Sequence, residues 1–194
     1  MEIRMLQKEE IKIASGLSRY VFDYSLRNRM EYPQTIAYVE EYIAEYHLQT
    51  AFDACEIILW GAFENYQMVG VSAMQRDGLI TMLYVLPQCQ NKGYGSKLLR
   101  EMRNYAKESC NFSKVSVNAT PAWTSFYFTK RGFLNVNPAQ DIKAPFVPMY
   151  SSSDCIDGYV KRPVSKGVII GTVVGCFLFA TIVASLFMIW YLTK

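Results

Sequence analysis

The chain has 194 residues, which is enough for one folded domain and an appendage. Its net charge is only +3 and no dense basic block is present, which argues against nucleic acid as the main partner. Five scattered cysteines without a Cys-x-x-Cys pair, and a single histidine, His47, argue against a disulfide framework, a zinc site and a Ser-His-Asp triad. We therefore expect reduced thiols and no metal.

The spacing of apolar residues divides residues 1–150 into strands and helices in the order β-α-α-β-β-β-α-β-α. This order predicts an α/β fold with a mixed sheet. The predicted strands are Glu2–Leu6, Ile57–Phe63, Met68–Met74, Ile80–Val85 and Lys114–Asn118, with Ala144–Tyr150 as a final strand. The predicted helices are Lys8–Leu26, Gln34–His47 after Pro33, one from near Ser96 to Glu108, and one ending before Gly132.

A glycine-rich segment, Gln90–Gly95 (QNKGYG), separates a predicted buried strand from a predicted amphipathic helix. Backbone N–H groups converge in such a loop and the helix dipole favours negative charge, so the segment is a candidate anion site. The dinucleotide fingerprint needs a third glycine where this chain has Leu98, and the P-loop needs glycines further apart. A third phosphate-binding pattern, Gln/Arg-x-x-Gly-x-Gly/Ala, matches the segment Gln90–Gly95. Alone, the segment is equally compatible with a tight structural turn, but its flanks favour a phosphate ligand.

In that spacing the segment resembles the acyl-CoA loop of the GNAT superfamily of N-acetyltransferases. The strand that runs into Val85-Leu-Pro87 and the helix that follows the loop are similar to the flanks of that loop. A second segment, Thr120–Phe133, resembles the second GNAT motif, with a proline after a small polar residue, a helix that carries Phe-Tyr, and a Lys-x-Gly-Phe ending. The resemblance spans roughly residues 1–150 and implies a GNAT-like mixed sheet with flanking helices.

The second motif departs from the family pattern in one respect. The spacing from its Phe-Tyr pair to its Gly-Phe pair is one residue longer than usual. Aligned from the Phe-Tyr pair, Tyr127 takes the position of the family's catalytic tyrosine. Aligned from the Gly-Phe pair, that position is Phe128, which has no hydroxyl. The upstream spacing of Thr120-Pro121 favours Tyr127.

The resemblance implies that acetyl-CoA binds as a co-substrate between the fourth and fifth strands and that an amine attacks its thioester directly. A backbone N–H near Tyr84-Val85 would stabilise the oxyanion, and Tyr127 would protonate the leaving thiolate. Candidate general bases are Glu31, Asp23 and Glu64, and nothing in their spacing selects one. The residues expected to bind acetyl-CoA are Leu83, Tyr84, Val85, Gln90, Asn91, Lys92, Gly93, Tyr94, Gly95 and Ser96.

These features predict an N-acetyltransferase that transfers an acetyl group from acetyl-CoA to a primary amine. The acceptor is either a small molecule or a protein, and the sequence does not choose between them. A different interpretation is a non-catalytic module on the same fold, which binds acyl-CoA or serves as a membrane adaptor.

The C-terminal part of the sequence is strongly apolar. No charged residue lies between Gly167 and Thr193, and a helix of that length, at about 1.5 Å per residue, exceeds the roughly 30 Å hydrocarbon core of a bilayer. We expect a linker over 151–166 and a single transmembrane helix over 167–192. Basic residues before the span place the N-terminal domain on the cytoplasmic side. Glycines at four-residue spacing indicate either a homodimer contact or ordinary glycine tolerance in a membrane helix: Gly167, Gly171 and Gly175.

Overall fold

A computed structural model of the chain describes residues 1–136 and 146–153. The chain divides into two units between Tyr159 and Val160, and the described residues all lie in the first. These residues contain seven strands: β1 (Glu2–Met5), β2 (Ile57–Glu64), β3 (Gln67–Gln75), β4 (Leu79–Val85), β5 (Lys114–Ala119), β6 (Leu134–Asn135) and β7 (Val147–Ser152). They form one sheet in the order β1-β2-β3-β4-β5-β7-β6, in which β4 and β5 are parallel and the other neighbours antiparallel.

Helices cover both faces of this sheet. Within the described residues they are α1 (Ile11–Val21), α2 (Pro33–Tyr42), α3 (Glu45–Asp53), α4 (Tyr94–Glu108) and α5 (Ser125–Thr129). Successive residues of a strand point to opposite faces, and β2 shows this directly. Leu59 belongs to the core that contains α1 and α3, whereas Trp60 belongs to the core that contains α4. The predicted α/β fold with a mixed sheet and flanking helices is therefore confirmed.

The predicted helix over Gln34–His47 is broken in the structure. Ala44 has an extended backbone, with ψ 141°, so α2 ends at Tyr42 and α3 begins at Glu45. The predicted helix over Lys8–Leu26 also changes character along its length. Its last part, Phe22–Leu26, is a π-helical turn, followed by a 3₁₀ turn over Arg27–Arg29. Such turns displace side chains from the α-helical register and are frequent at functional sites.

Strand β7 ends two residues later than the sequence indicated. It runs to Ser152, because Ser151 and Ser152 pair with Val115 and Lys114 of β5. Ser151 and Ser152 therefore belong to β7 and not to the predicted linker, and residues 154–166 of that linker lie outside the described residues. The two-residue strand β6 was not predicted, since two residues are too short to show an alternating pattern.

The predicted single-pass membrane localisation needs correction. In residues 1–136 and 146–153, no helix has both the length and the apolar character needed to cross a membrane. The membrane localisation, with a cytoplasmic N-terminal domain, is therefore wrong for the part of the chain that the structure describes. The predicted helix over 167–192 and its glycines Gly167, Gly171 and Gly175 lie outside the described residues.

The buried face of α4 yields a test of this packing. Leu98 is fully buried against the sheet, whereas Arg100 on the same helix is exposed. We expect Leu98→Ala to lower the free energy of unfolding by about 3 kcal/mol, because it leaves a cavity in the core. Arg100→Ala should change it by less than about 0.5 kcal/mol. Urea unfolding of both variants measures this, and a Leu98→Ala protein as stable as wild type would contradict the packing.

Candidate active site

The sheet opens between its two parallel strands. β4 and β5 pair only at Leu79 with Ser116 and at Ile80 with Val117. On its other side, β4 remains paired with β3 as far as Val85. The C-terminal half of β4 therefore presents one backbone edge to a gap instead of to a neighbouring strand.

The pairing of β4 with β3 determines which backbone groups face this gap. The amide of Leu86 donates to the carbonyl of Val69 at 2.9 Å, and Tyr84 pairs with Val71 in the same register. Alternate residues of a strand direct their N–H and C=O groups to opposite sides. The backbone N–H and C=O groups of Leu83 and Val85 therefore face the gap. The carbonyl of Val85 accepts a hydrogen bond from Nε2 of Gln90 at 3.1 Å. This bond ties the loop after β4 to the open edge of the strand.

A cavity of about 1300 Å³ occupies the gap. It is lined on one face of the sheet by residues of the π-helical turn and α2, and on the other face by residues of the loop, α4 and α5. Every residue of β4 contributes to its wall. The gap thus connects the two faces of the sheet, and a long ligand can pass through it.

The loop before α4 exposes an uncapped helix N-terminus to this cavity. Gly93 is the N-cap residue and has φ 90°, and Asn91 has φ 60°, so both lie in the left-handed region. A Cβ added at Gly93 would meet no atom of the described residues within 4 Å, so nothing in that part of the chain covers this side of the loop. Among the described residues no side chain caps the helix, and its first turn holds no acidic residue. The first-turn amides and the helix dipole are therefore available to an anion.

The side chain of Tyr94 lies beneath the loop and supports it. It is buried in the core with Leu98 and Cys89. Its interaction with the Glu64 carboxylate raises the pKa of Tyr94 to about 12. The thiol of Cys89 lies 4.0 Å from the same carboxylate. Glu64 is therefore engaged beneath the loop, and it does not line the cavity.

Tyr127 places a hydroxyl directly against the first turn of α4. A Cβ built on Gly95 would lie 2.5 Å from the Tyr127 oxygen. This hydroxyl is enclosed and has no hydrogen-bond partner in the described part of the chain. Burial raises the pKa of Tyr127, against the opposing influence of Arg131 and Ser96. The group is thus a protonated hydroxyl enclosed at the wall of the cavity, with no hydrogen-bond partner within the described residues.

Arg131 connects Tyr127 to α4. Its guanidinium lies 3.5 Å from the centroid of the Tyr127 ring, and its Nε donates to Oγ of Ser96 at 3.1 Å. One turn separates Arg131 from Tyr127, and both line the cavity. This arrangement adds a cation to the anion site formed by the loop.

Phe128, the other candidate for the catalytic position, has a different environment. It is 7% exposed, and its ring packs edge-on against Phe133 with centroids 5.4 Å apart. Phe128 borders the cavity, but it belongs to the core beneath α4. The residue that carries a hydroxyl is therefore the one that meets the loop.

The structure brings together nearly all of the side chains and loop residues that the sequence singled out. The residues of the predicted set that line the cavity are Tyr127, Leu83, Tyr84, Val85, Gln90, Asn91, Gly93, Tyr94, Gly95 and Ser96. Lys92 is exposed and is not part of the lining. The candidate bases Asp23 and Glu31 are not part of it either.

Two contributors to the site were missed by sequence analysis, namely Arg131 and Arg29. Arg131 follows Tyr127 by four residues, so the helical period already placed them on one face. Arg29 carried no such signal, because its position depends on the π-helical turn that precedes it. In residues 1–136 and 146–153, no cluster of histidine, cysteine, aspartate and glutamate side chains suits a metal ion.

The contact between Gly95 and Tyr127 generates a prediction. Gly95→Ala forces its new methyl group against the Tyr127 hydroxyl. In a Tyr127→Phe background the nearest atom is the ring carbon, at 3.5 Å. Gly95→Ala changes the free energy of unfolding in each background. We expect this change to be less favourable by about 1–3 kcal/mol in the wild-type background than in the Tyr127→Phe background, because loss of the hydroxyl relieves the overpacking.

A double-mutant cycle of unfolding free energies measures this difference and cancels the gain in helix propensity from alanine. Tyr127→Phe alone should be neutral or stabilising, since it removes a buried hydroxyl that has no partner among the described residues. Equal effects of Gly95→Ala in both backgrounds would show that the hydroxyl does not lie against the helix.

Comparison with known proteins agrees with this fold. The crystal structure of a GCN5-related N-acetyltransferase from Rhodopseudomonas palustris is 17% identical with a TM-score of 0.64, and covers 78% of this chain and 94% of its own. PaiA N-acetyltransferase from Thermoplasma acidophilum, in complex with coenzyme A, is 19% identical with a TM-score of 0.63. The match covers 78% of this chain and 98% of the PaiA chain. A chimera of the spermidine N-acetyltransferase SpeG from Vibrio cholerae and hSSAT is 14% identical with a TM-score of 0.53. The match covers 79% of this chain and 97% of the chimera.

No curated protein sequence matches the chain. The family model described as an acetyltransferase (GNAT) domain, however, matches residues 28–152, which is more than half of the chain. This range contains the loop before α4, the open edge of β4 and Tyr127. Domains of this family use acetyl-CoA as the acetyl donor. The chain belongs to the GNAT acetyltransferase family.

Proposed function

We propose that the protein transfers an acetyl group from acetyl-CoA to a primary amine of a small molecule or a protein. The observation that carries the proposal is the buried, unpartnered hydroxyl of Tyr127 between the N-terminus of α4 and the open edge of β4, within the described part of the chain. A hydroxyl in such a place loses free energy unless a ligand supplies its hydrogen bond. A thioester sulfur in the cavity is a suitable partner.

The residues of the cavity fit acetyl-CoA along its length. The amides at the start of α4, with the guanidinium of Arg131, suit the pyrophosphate. The open backbone groups of Leu83 suit an amide group of the pantetheine arm, which pairs with a strand edge as a neighbouring strand does. When bound, acetyl-CoA supplies an acetyl group that is activated as a thioester.

Two groups of the protein act on the reacting atoms in this proposal. The N–H of Val85 faces the gap and stabilises the negative charge that develops on the carbonyl oxygen during attack. As the nitrogen bonds to the carbonyl carbon and the C–S bond breaks, the hydroxyl of Tyr127 donates its proton to the departing sulfur, which is general acid catalysis. The nitrogen then releases its extra proton to water, and water returns a proton to Tyr127. Its raised pKa keeps it protonated at neutral pH, as this role requires.

The proton of the incoming ammonium has no carboxylate to receive it among the described residues that line the cavity. Asp23 is engaged by Arg27 at 2.8 Å, and Glu64 lies beneath the loop. We therefore propose that the amine reacts in the neutral form that it reaches by losing a proton to water.

This route makes the reaction depend on pH in a defined direction. Below the pKa of the acceptor amine, kcat/KM should rise about tenfold per pH unit, because the neutral fraction of the amine rises in that proportion. Since the pKa of Tyr127 is raised above its usual value of about 10, its acid form persists and activity falls only when pH passes that raised pKa. A bell-shaped dependence of kcat/KM on pH, with its rising limb near pH 5, would instead indicate a carboxylate base.

Substitution of the proposed acid tests the mechanism. We expect Tyr127→Phe to lower kcat by about 100-fold or more, with binding of acetyl-CoA retained, because general acid catalysis contributes roughly 10²–10⁴-fold. Tyr66→Phe is the matched control, since it removes the hydroxyl of a side chain that is 99% exposed. Release of free CoA over a panel of amines measures turnover, and full activity in Tyr127→Phe would refute the assignment.

The same assay separates the enzyme from a non-catalytic acyl-CoA-binding module. The lack of a carboxylate in the described lining favours this second interpretation. Saturable binding of acetyl-CoA without CoA release for any amine at high pH would establish the binding module. Release of CoA that depends on an amine would exclude it.

A further inference from the structure

The half of the cavity on the α2 face of the sheet has walls of its own. They come from the end of the π-helical turn, from the 3₁₀ turn after it, and from α2. The aromatic and charged residues that these segments contribute to the lining include Tyr24, Arg29, Tyr38 and Tyr42. This half lies across the gap from α4 and Arg131, so we assign it to the acceptor.

Positive charge dominates the wall of the cavity. Its described lining residues include the cations Arg29, Lys130 and Arg131 and no carboxylate. Arg131 and Lys130 follow α5, where Arg131 meets Ser96 and the ammonium of Lys130 lies 4.9 Å from the Phe126 ring centroid. Arg29 is therefore the cation that serves the acceptor half.

The carboxylates of Asp23 and Glu40 are already engaged by Arg27, two residues before Arg29. Nε of Arg27 lies 2.8 Å from the Asp23 carboxylate, and its guanidinium also pairs with Glu40. Arg29 is exposed, and its guanidinium lies 5.7 Å from the ring centroid of Trp123, across the mouth of the gap. Within residues 1–136 and 146–153, Arg29 makes no ion pair, and the described cavity lining to which it contributes its planar set of donors holds no carboxylate.

Aromatic side chains complete this half. Tyr24 is 70% exposed, Tyr38 65% and Trp123 49%, although all three line the cavity. Tyr42 is only 8% exposed, and its hydroxyl is enclosed. Exposed aromatic faces around a pocket are suited to an apolar body.

We propose that the acceptor is a primary amine whose body is aromatic and carries a carboxylate, as in an aromatic amino acid, and that Arg29 binds this carboxylate. The inference rests on the proposed acetyl transfer. Arginine binds a carboxylate through paired, charge-assisted hydrogen bonds. A polyamine is disfavoured by the same wall, because its second positive charge meets Arg29 and finds no carboxylate in the described lining.

A pair of amines that differ by one carboxylate tests the proposal. L-Phenylalanine carries the carboxylate and phenethylamine lacks it, and spermidine serves as the polyamine. Each is titrated by calorimetry into the protein saturated with CoA, which holds no acetyl group, and each is assayed for acetylation with acetyl-CoA. We expect wild type to prefer L-phenylalanine over phenethylamine by about tenfold or more in both measurements.

Arg29→Gln should remove this preference while changing the affinity for phenethylamine by less than about threefold. Arg19→Gln is the matched control, because Arg19 is exposed on α1 and does not line the cavity, so it changes the net charge equally. It should keep the preference of wild type. A charge reversal, Arg29→Glu, should shift the preference towards spermidine.

The outcomes separate this proposal from the proposed function. Acetylation of phenethylamine or spermidine as efficient as that of L-phenylalanine in wild type would overturn the acceptor assignment and leave acetyl transfer in place. An unchanged preference in Arg29→Gln would overturn the role of Arg29. If no amine is acetylated, the proposed function fails, and the calorimetric preference for the carboxylate still decides whether Arg29 forms an anion site.

Discussion

The separation of β4 from β5 is the feature on which the rest of this structure depends. β4 stays paired with β3 as far as Val85 but loses β5 after Ile80, so one edge of a central strand is left open. Backbone groups buried without partners cost about 1–3 kcal/mol each. A sheet that leaves such an edge within its interior gives a ligand with amide groups a reason to bind there. The open edge also joins the two faces of the sheet in one cavity.

The other parts of the site follow from where this edge ends. The chain leaves β4 through a short turn and enters α4 at Gly93, so the uncapped helix N-terminus lies beside the open strand. Gly95 leaves room for the Tyr127 hydroxyl, which approaches so closely that a methyl group would collide with it. Strand edge, helix dipole and hydroxyl thus converge on one small volume. In the proposed mechanism each of them acts on a different part of acetyl-CoA.

Local patterns in the sequence predicted the parts of this arrangement that are themselves local. The three hairpin strands and α4 were found because their apolar spacing is regular. The loop was found because the spacing of Gln90, Gly93 and Gly95 is itself a local pattern, and Gly93 has a left-handed backbone in the structure. The break at Ala44 and the position of Arg29 were not found, since both depend on tertiary packing that no period reveals. The sequence also does not show how charge is distributed around the cavity. Asp23, for example, pairs with Arg27 and does not line the cavity. A membrane protein was inferred from one apolar segment, and the described helices do not support it.

Amide hydrogen exchange with and without acetyl-CoA tests the central claim most directly, because it examines the open edge and the helix N-terminus residue by residue. If acetyl-CoA pairs with the edge of β4, exchange at Leu83 and Val85 should slow by about tenfold or more, together with exchange at Gly95 and Ser96. The amide of Tyr84, which pairs with β3, should change much less. Unchanged exchange at Leu83, Val85 and the start of α4 at saturating acetyl-CoA would contradict the account.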